Sequence, residues 1–437
     1  NTPMLANTLA GATAAVGYDD DYEKYTVCQS MGASFKVVGV SPMILINVLD
    51  PNKHKKNLPE KTVQVNDGVA VVEEKDILLD KLTVKAEETP LAAGTDYTAA
   101  FDDNGYVNIV VIPGGAGDSA TSLTVSGVQI DPTAVTPADI VGAVTADGVE
   151  SGMEVIRQIF PKLNMTPGIL LAPGWSENAL VSAGLQAKTS HINGVFNCVC
   201  IVDIDSSTAG ATKYDDVKRQ KEKQAVTSAN CYAVWLYAKV GDVIYAGSAM
   251  AAAATVATDA NNGDIPNVSP DNKPISISAA CLKDGTEVLL DQEQANVVNS
   301  FGVATWLNMN GFRLWGNRTC AYPGNTDPKD SFFSCRRYMS WRANSFILTY
   351  FQKVDSPLNK RLIEAIVDSE NVRGNSFVSR GICARYELQY IESENPTTDL
   401  LNGTVKFHKY MSPFNPAEDI EEIVEFDPNA ISTALAG

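Results

Sequence analysis

The hydrophobic pattern changes character twice along the 437 residues, and these changes constrain the fold more than any other feature. Residues 59–146 contain only short strand-like runs separated by Gly, Asn and Asp turns, without helical periodicity. Residues 1–58 and 147–275 instead alternate apolar strand runs with helical segments, which is typical of a mostly parallel sheet. The pattern predicts a discontinuous α/β domain that carries a small all-β domain, a barrel or a sandwich, as an insertion.

The remaining residues predict an α+β C-terminal domain, 276–412, followed by an extended arm, 413–437. Pro413 and Pro416 set this arm, with a last predicted strand at 419–426, apart from the compact domain. Strands are also predicted at 303–307, 312–315, 383–392 and 403–410. Helices are predicted at 5–16, 22–38, 152–162, 292–301, 331–351 and 358–371.

The net charge of −18 is unevenly distributed. Residues 311–385 contain twelve Lys or Arg against six Asp or Glu, whereas residues 418–427 contain six acids and no base. A basic region and an acidic tail can support head-to-tail contacts between copies; the alternative is that both are solvated surfaces. The acidic balance argues against nucleic-acid binding and adhesion to anionic membranes, and no apolar run is long enough to predict a transmembrane helix.

No residue is predicted to bind a metal or a cofactor. The eight cysteines lack a C-x-x-C pair, and Cys198 and Cys200 lie on a predicted strand with no second pair or histidine nearby. The histidines His54, His191 and His408 lie in unrelated segments, with His54 in an exposed basic loop. We therefore expect free, buried thiols in a protein of a reducing cytoplasm.

One segment has the position of a hydrolase nucleophile elbow without its sequence. Ser176 lies between a predicted strand and a predicted helix, but Asn178 stands where the G-x-S-x-G motif requires its second glycine. His191 follows too soon to match the chain order of that fold's triad. Ser176 is more simply a helix N-cap. We predict no catalytic residue and no enzymatic activity, with a serine hydrolase as the remaining enzymatic alternative.

The most distinctive motif is GFRLWGNRTCAYP at 311–323. Phe312 and Leu314 alternate with Arg313, so the run predicts a strand with one buried face. A second arginine follows Trp315 by three residues. Two arginines around a tryptophan suit stacking or ion pairing at an interface.

Four residues of this motif, Arg313, Trp315, Gly316 and Arg318, resemble the signature of contractile-tail sheath proteins of phages, phage-tail-like particles and prophages. Five further segments resemble motifs of the same family in the same order: GYDD at 17–20, LINVLDP at 45–51, LAPGWS at 171–176, DNKPI at 271–275 and MSPFNPAE at 411–418. The resemblance covers nearly the whole chain and is weakest in the β insert.

The resemblance implies a structural subunit of a contractile tail sheath. Such subunits form a homo-oligomeric helical polymer around an inner tail tube protein, in a particle that also has a baseplate and a tail terminator. The polymer shortens to drive the tube through a cell envelope, as in genome ejection. The resemblance places the protein in the virion tail, assembled in the host bacterial cytoplasm, with no cofactor and no binding of nucleic acid or membrane by this chain.

In this family, N-terminal and C-terminal arms add strands to the sheet of a neighbour. Here the C-terminal arm would use Ile420, Ile423, Val424 and Phe426, while intervening glutamates keep it soluble. The alternative is an edge strand that folds back on its own domain. The family's N-terminal arm lies before Asn1, so we expect a subunit with only these residues to be monomeric or to assemble incompletely.

In this family the C-terminal domain contacts the tube, and the basic excess of this chain falls in that domain. Lys353, Lys360 and Arg361 bracket the break between the two long helices and are predicted to face an acidic tube surface. An alternative function is a surface- or glycan-binding module of a phage particle, formed by the inserted domain. That domain contains few aromatic residues, namely Tyr97, Tyr106 and Phe101.

Overall fold

The computed structural model describes residues 2–436. Its N-terminal segment contains β1 (Pro3–Ala6), α1 (Leu9–Val16), α2 (Val27–Met31), a π-helix (Gly32–Val38) and β2 (Met43–Ile46). β1 pairs antiparallel with β2, whereas the sequence predicts a helix from residue 5. The Oγ1 atom of Thr8 accepts a hydrogen bond from the backbone N of Gly11 (3.1 Å), and this cap begins the helix at Leu9 instead.

Residues 55–130 form a separate antiparallel sheet, here called the β subdomain. Its strands are β3 (Lys55–Asn66), β4 (Val69–Val72), β5 (Thr83–Ala86), β6 (Thr89–Pro90), β7 (Tyr97–Phe101), β8 (Val107–Val111) and β9 (Ser122–Ile130). They lie in the order β6-β5-β9-β3-β4-β8-β7. Buried side chains such as Val84, Ile109 and Leu123 form a core of their own beneath this sheet.

The boundaries of the β subdomain differ from the predicted 59–146. The sheet begins at Lys55, and Ile140, beyond its last strand, packs in the core of the α/β part. His54, predicted in an exposed loop, is 2% exposed. Its Nδ1 accepts a hydrogen bond from the backbone N of Asp50 (3.0 Å), and its Nε2 lies 3.4 Å from a carboxylate oxygen of Asp139. The prediction that His54 is exposed, which relied on the basic residues beside it in the sequence, was therefore wrong.

The α/β part contains a three-stranded parallel sheet, β10-β11-β12, and a three-stranded antiparallel sheet, β14-β13-β15. The prediction of mostly parallel strands thus describes the first sheet only. The elements are α3 (Pro137–Val141), α4 (Ile159–Leu163), β10 (Ile169–Leu170), α5 (Ala179–Ala187), β11 (Val199–Ile204), α6 (Val217–Lys223), β12 (Cys231–Trp235), β13 (Tyr237–Val240), β14 (Val243–Tyr245), α7 (Gly247–Asn261) and β15 (Ala279–Cys281), with 3₁₀ turns at Pro132–Ala134, Gly152–Gln158 and Tyr214–Asp216.

The last part of the chain is α+β. Its elements are α8 (Gln292–Ser300), β16 (Thr305–Asn308), β17 (Phe312–Trp315), α9 (Pro328–Ser331), α10 (Phe333–Tyr350), α11 (Lys360–Ser379), β18 (Cys383–Gln389), α12 (Thr397–Leu401), β19 (His408–Pro413) and α13 (Pro428–Ala436). β16 pairs antiparallel with β17, and β18 with β19. The strand predicted at 419–426 is absent from the described residues, and α13 lies where no helix is predicted. A strand needs a partner, and none lies beside this segment within residues 2–436.

The hydrophobic core crosses the predicted domain boundary at residue 276. Val303, Trp306, Leu314 and Phe333 belong to the same buried cluster as the strands of the α/β part. A smaller cluster around Tyr338 holds α10, α11 and the β18–β19 hairpin together. All eight cysteines are free and buried. Within residues 2–436, no helix combines the length and the hydropathy that crossing a bilayer requires.

Candidate functional site

The signature strand β17 makes its polar contacts inside the chain. The guanidinium of Arg313 donates to the backbone O of Asn272 (3.1 Å) and of Met309 (3.3 Å). The indole Nε1 of Trp315 donates to the Oδ1 of Asn296 (2.9 Å). Arg313 therefore ties β17 to residues 271–275, the segment where the sequence shows the DNKPI motif.

Gly316, which follows β17, lies where only a glycine fits. Its φ of +131° is unfavourable for other residues, and a Cβ atom would lie 2.6 Å from the Oδ1 of Asn299 and 2.9 Å from the Cα of Ala304. Its backbone N donates to the Oδ1 of Asp271 (2.9 Å), and its O accepts from the hydroxyl of Tyr232 (2.5 Å). Burial raises the pKa of Asp271.

Arg318 lies between two aromatic rings and reaches the C-terminal segment. Its guanidinium carbon is 3.9 Å from the ring centre of Phe332 and 4.5 Å from that of Tyr322. Its Nε donates to the Oε1 of Glu418 (2.7 Å), and its Nη2 contacts the other carboxylate oxygen. Its Nη1 donates to the Oγ of Ser331 (3.0 Å). This side chain thus joins two motifs that lie a hundred residues apart.

Lys221 holds the loop that follows Arg318. This lysine of α6 is 7% exposed, and its ammonium donates to the backbone O of Phe301 (2.6 Å), Cys320 (2.8 Å) and Tyr322 (3.0 Å). Burial lowers the pKa of Lys221. Three carbonyl acceptors compensate for the lost hydration of the charge. This role could not be predicted, because Lys221 lies in a charged run that resembles a solvated helix face.

The C-terminal segment contacts the domain at Phe414, Asn415 and Glu418, and its side chains are more exposed beyond these residues. The Sγ of Cys335 contacts the backbone O of Phe414 (3.8 Å) and the Oδ1 of Asn415 (3.6 Å). The predicted arm residues then follow with their side chains exposed: Ile420 (88%), Ile423 (86%), Val424 (80%) and Phe426 (78%). These are among the most exposed large apolar side chains of residues 2–436.

The β18–β19 hairpin is fastened by a buried charged cluster. Glu370 of α11 is fully buried and accepts hydrogen bonds from Arg342 (2.8 Å), Lys409 (3.0 Å) and the Tyr386 hydroxyl. Burial opposes the ionisation of Glu370. The Tyr386 hydrogen bond and the charges of Lys409 and Arg342 outweigh it and lower the pKa of Glu370 to about 2.

The predicted tube-facing residues lie together in sequence on one exposed turn. Lys353 ends a 3₁₀ turn (Phe351–Lys353) after α10, and Lys360 and Arg361 begin α11. All three side chains are exposed. Phe351 (71% exposed) and Val354 (64% exposed) flank Lys353. We call residues 351–361 the basic turn.

Ser176 is neither a helix cap nor an exposed nucleophile. Its hydroxyl is fully buried and donates to the Oδ2 of Asp203 (2.8 Å). The hydroxyl of Ser248 contacts the same oxygen at 2.6 Å. The helix begins instead at Ala179, where the Oδ1 of Asn178 caps the backbone N of Leu180 (2.9 Å). The predicted N-cap was therefore wrong by two residues.

No family model matches the sequence. The tail sheath protein of Burkholderia phage BcepMu is 26% identical over 458 aligned residues, which cover 100% of this chain and 91% of the relative. The chain is a homologue of phage tail sheath proteins. A putative prophage major tail sheath protein of Pseudomonas aeruginosa is 23% identical to this sheath homologue, over 68% of this chain and 74% of the relative.

Solved structures share the fold of the sheath homologue. The sheath complex of an extracellular contractile injection system in its contracted state has a TM-score of 0.52 at 17% identity, over 64% of this chain and 76% of the other. The sheath tail protein of Desulfitobacterium hafniense has a TM-score of 0.50 at 10% identity, over 89% and 86% of the two chains. The predicted family is thus confirmed.

Proposed function

We infer that this protein is a structural subunit of a contractile tail sheath, which polymerises around an inner tube and contracts to drive that tube through a cell envelope. The relationship to a phage tail sheath protein over the entire chain carries this inference. The exposed C-terminal segment supplies a physical means of polymerisation, since each large apolar side chain contributes about 1.5–3 kcal/mol when it becomes fully buried.

Residues 419–426 form the strand arm in this proposal, and they add a strand to the sheet of a neighbouring copy. Their backbone has no strand partner among residues 2–436, which supports pairing with another copy over an edge strand folded onto its own domain. Ile420, Ile423, Val424 and Phe426 would become buried on docking. The glutamates between them keep the free segment soluble.

The partners in this proposal are further copies of the chain, an inner tail tube protein, the baseplate and the tail terminator. The sheath and baseplate assemblies among the solved structures support the first and third of these. The protein would reside in the virion tail after assembly in the host cytoplasm. Its role is mechanical, without catalysis or cofactor, and the buried hydroxyl of Ser176 fits that role.

The basic turn, residues 351–361, is the proposed contact with the tube. Lys353, Lys360 and Arg361 are exposed and free to meet an acidic surface, apart from a 3.6 Å approach of Lys360 to Glu364. Phe351 and Val354 add exposed apolar area beside these charges. A patch with apolar and basic side chains suits a partner with an acidic rim.

The β subdomain is proposed as an insert that projects from the sheath core, since its hydrophobic core is its own. A glycan-binding role for it has little support. Tyr97 is 4% exposed and packs in the core of the subdomain, Tyr106 is half-buried, and Phe101 is 51% exposed. Aromatic platforms need accessible ring faces.

Assembly of the full chain with its tube partner, observed by negative-stain electron microscopy, tests the proposed function. We expect polymers, complete or incomplete, from the unaltered chain and none from a chain truncated after Glu418. Truncation after Asp427, which removes only α13, is the matched control and is expected to retain assembly. If the chain truncated after Glu418 still forms polymers, the strand arm is not the link between copies.

A further inference from the structure

We propose that Arg318 and Glu418 form a fixed anchor that sets the point and the direction in which the strand arm leaves the domain. This proposal rests on the proposed sheath function. It assigns a positioning role to Arg318, a residue of the signature segment, and to Glu418, the last residue of the MSPFNPAE motif. The anchor joins them through two parallel contacts between a guanidinium and a carboxylate.

The geometry around Arg318 leaves its side chain little freedom. The guanidinium is stacked between Phe332 and Tyr322, and it is 15% exposed, whereas the Glu418 side chain is 40% exposed. The planar group can therefore present its fork in one direction only. The carboxylate of Glu418 is the more exposed partner, and it lies at a position that the two rings determine.

The support beneath Arg318 is rigid. The backbone N of Thr319 donates to the O of Ser331 (2.8 Å), and its Oγ1 donates to the O of Asp330 (2.5 Å). Lys221 fastens the next residues of the loop through three carbonyl groups. The anchor is thus built on the core of the molecule and not on a flexible loop.

Exposure along the tail increases beyond the anchor. Phe414, before the anchor, is 54% exposed and contacts the Sγ of Cys335, whereas the large apolar side chains of the strand arm are 78% to 88% exposed. Phe426 lies eight positions after Glu418, so this segment spans at most about 26–29 Å. Release of the tail back to Pro413 would lengthen this tether by roughly 17 Å. A longer tether without a fixed direction lowers the effective concentration of the strand arm at the sheet of the neighbouring copy to which it would bind.

Protection of Glu418 from a glutamate-specific endoproteinase tests the anchor in the monomer. In the unaltered protein we expect rapid cleavage after Glu421, Glu422 and Glu425 and slow cleavage after Glu418. Arg318→Gln should raise the rate after Glu418 at least about ten-fold, with Arg318→Lys between the two. Arg219→Gln, which removes an exposed ion pair with Asp216, is the matched control and should leave the rate unchanged. Equal cleavage after Glu418 and Glu421 in the unaltered protein would overturn the anchor.

Assembly of the same variants tests the positioning role. Arg318→Gln should slow polymerisation about ten-fold, while Arg219→Gln polymerises as the unaltered chain does. Glu418→Gln, a change at a half-exposed side chain, should give the same loss without affecting the folded domain. Normal polymerisation of both anchor variants would overturn the proposal. Failure of the unaltered chain to polymerise would contradict the proposed function instead, and the protease experiment would still report on the anchor.

Discussion

Arg342 and Glu370 form an ion pair with an N–O distance of 2.8 Å, and both side chains are almost completely removed from solvent. They come from the two long helices α10 and α11. The Tyr386 hydroxyl and the Lys409 ammonium, from β18 and β19, complete the cluster. The buried carboxylate of Glu370 therefore connects α10 and α11, the two helices on either side of the basic turn, with the β18–β19 hairpin.

Arg342→Met should destabilise the protein by about 3–5 kcal/mol, because it leaves Glu370 buried with fewer compensating charges. Urea unfolding followed by circular dichroism measures this change. Arg385→Met is the control, since it removes an ion pair with Glu387 whose side chains are 50% and 41% exposed. That change should cost less than about 1 kcal/mol. Equal losses in the free energy of unfolding for the two variants would show that the buried ion pair contributes no more to stability than the exposed one.

Protein stability should fall as the pH rises from about 4.5 to about 7, because of Glu177. Burial raises the pKa of Glu177 from its ordinary 4.5 to about 7, against the opposing influence of Lys283 and Tyr237. The folded state then holds a proton that the unfolded state has released, so the associated stability is complete below pH 4.5 and is lost through pH 7. The change amounts to about 3 kcal/mol.

Unfolding midpoints in urea across this pH range, for the unaltered protein and Glu177→Gln, measure the effect. The variant should have a flatter profile because it carries no titrating group at this position. Glu60→Gln, at an exposed position of β3, is the control and should retain the slope. The assignment to Glu177 fails if its replacement by Gln leaves the pH profile unchanged.

Gly374→Ala should destabilise the protein by about 1–3 kcal/mol. A Cβ atom on this glycine of α11 would lie 2.1 Å from the Cδ1 of Tyr386, so the helix and β18 would have to separate. Thermal unfolding measures the loss. Gly168→Ala is the control, because a Cβ there has no atom within 4 Å. A melting temperature for Gly374→Ala equal to that of the control would contradict this close contact.

Charge reversal in the basic turn, Lys360→Glu with Arg361→Glu, should abolish co-assembly with the tube while copies still polymerise with one another. Both side chains begin a helix and are exposed, so the change should not alter folding. Lys218→Glu with Arg219→Glu is a matched pair at the beginning of α6. Co-sedimentation with the tube protein separates the two variants. Tube binding by the Lys360 and Arg361 variant would exclude the basic turn as the contact.

The sequence predicted the regular elements best where local signals decide them. The helix at Gln292–Ser300 has an Asp291 capping box, and the strand at Phe312–Trp315 follows the alternation of apolar residues. The sequence failed where the partner lies far along the chain. His54 lies beside Asp139, which is more than eighty residues away in the sequence. The residues around His54 cannot predict such a contact.

The sequence singled out Arg313, Trp315, Gly316 and Arg318 but not the residues that they contact. Arg318 is part of the recognised signature, yet its partner Glu418 lies a hundred residues away in an acidic run that resembles a solvated tail. Lys221 and Glu370 are charged residues whose burial only the tertiary fold determines. The apolar pattern at 419–426 could not establish that this segment forms a strand. A strand also needs a neighbouring strand to pair with, and the sequence of the segment does not contain that information.

Because all eight thiols are buried, the folded protein exposes no native cysteine that would react with a maleimide. A cysteine introduced at Ser432, on the exposed helix α13, would therefore react selectively in the folded protein. A fluorophore attached there could report on the C-terminal tail in real time, by energy transfer between adjacent copies, without prior removal of any native cysteine.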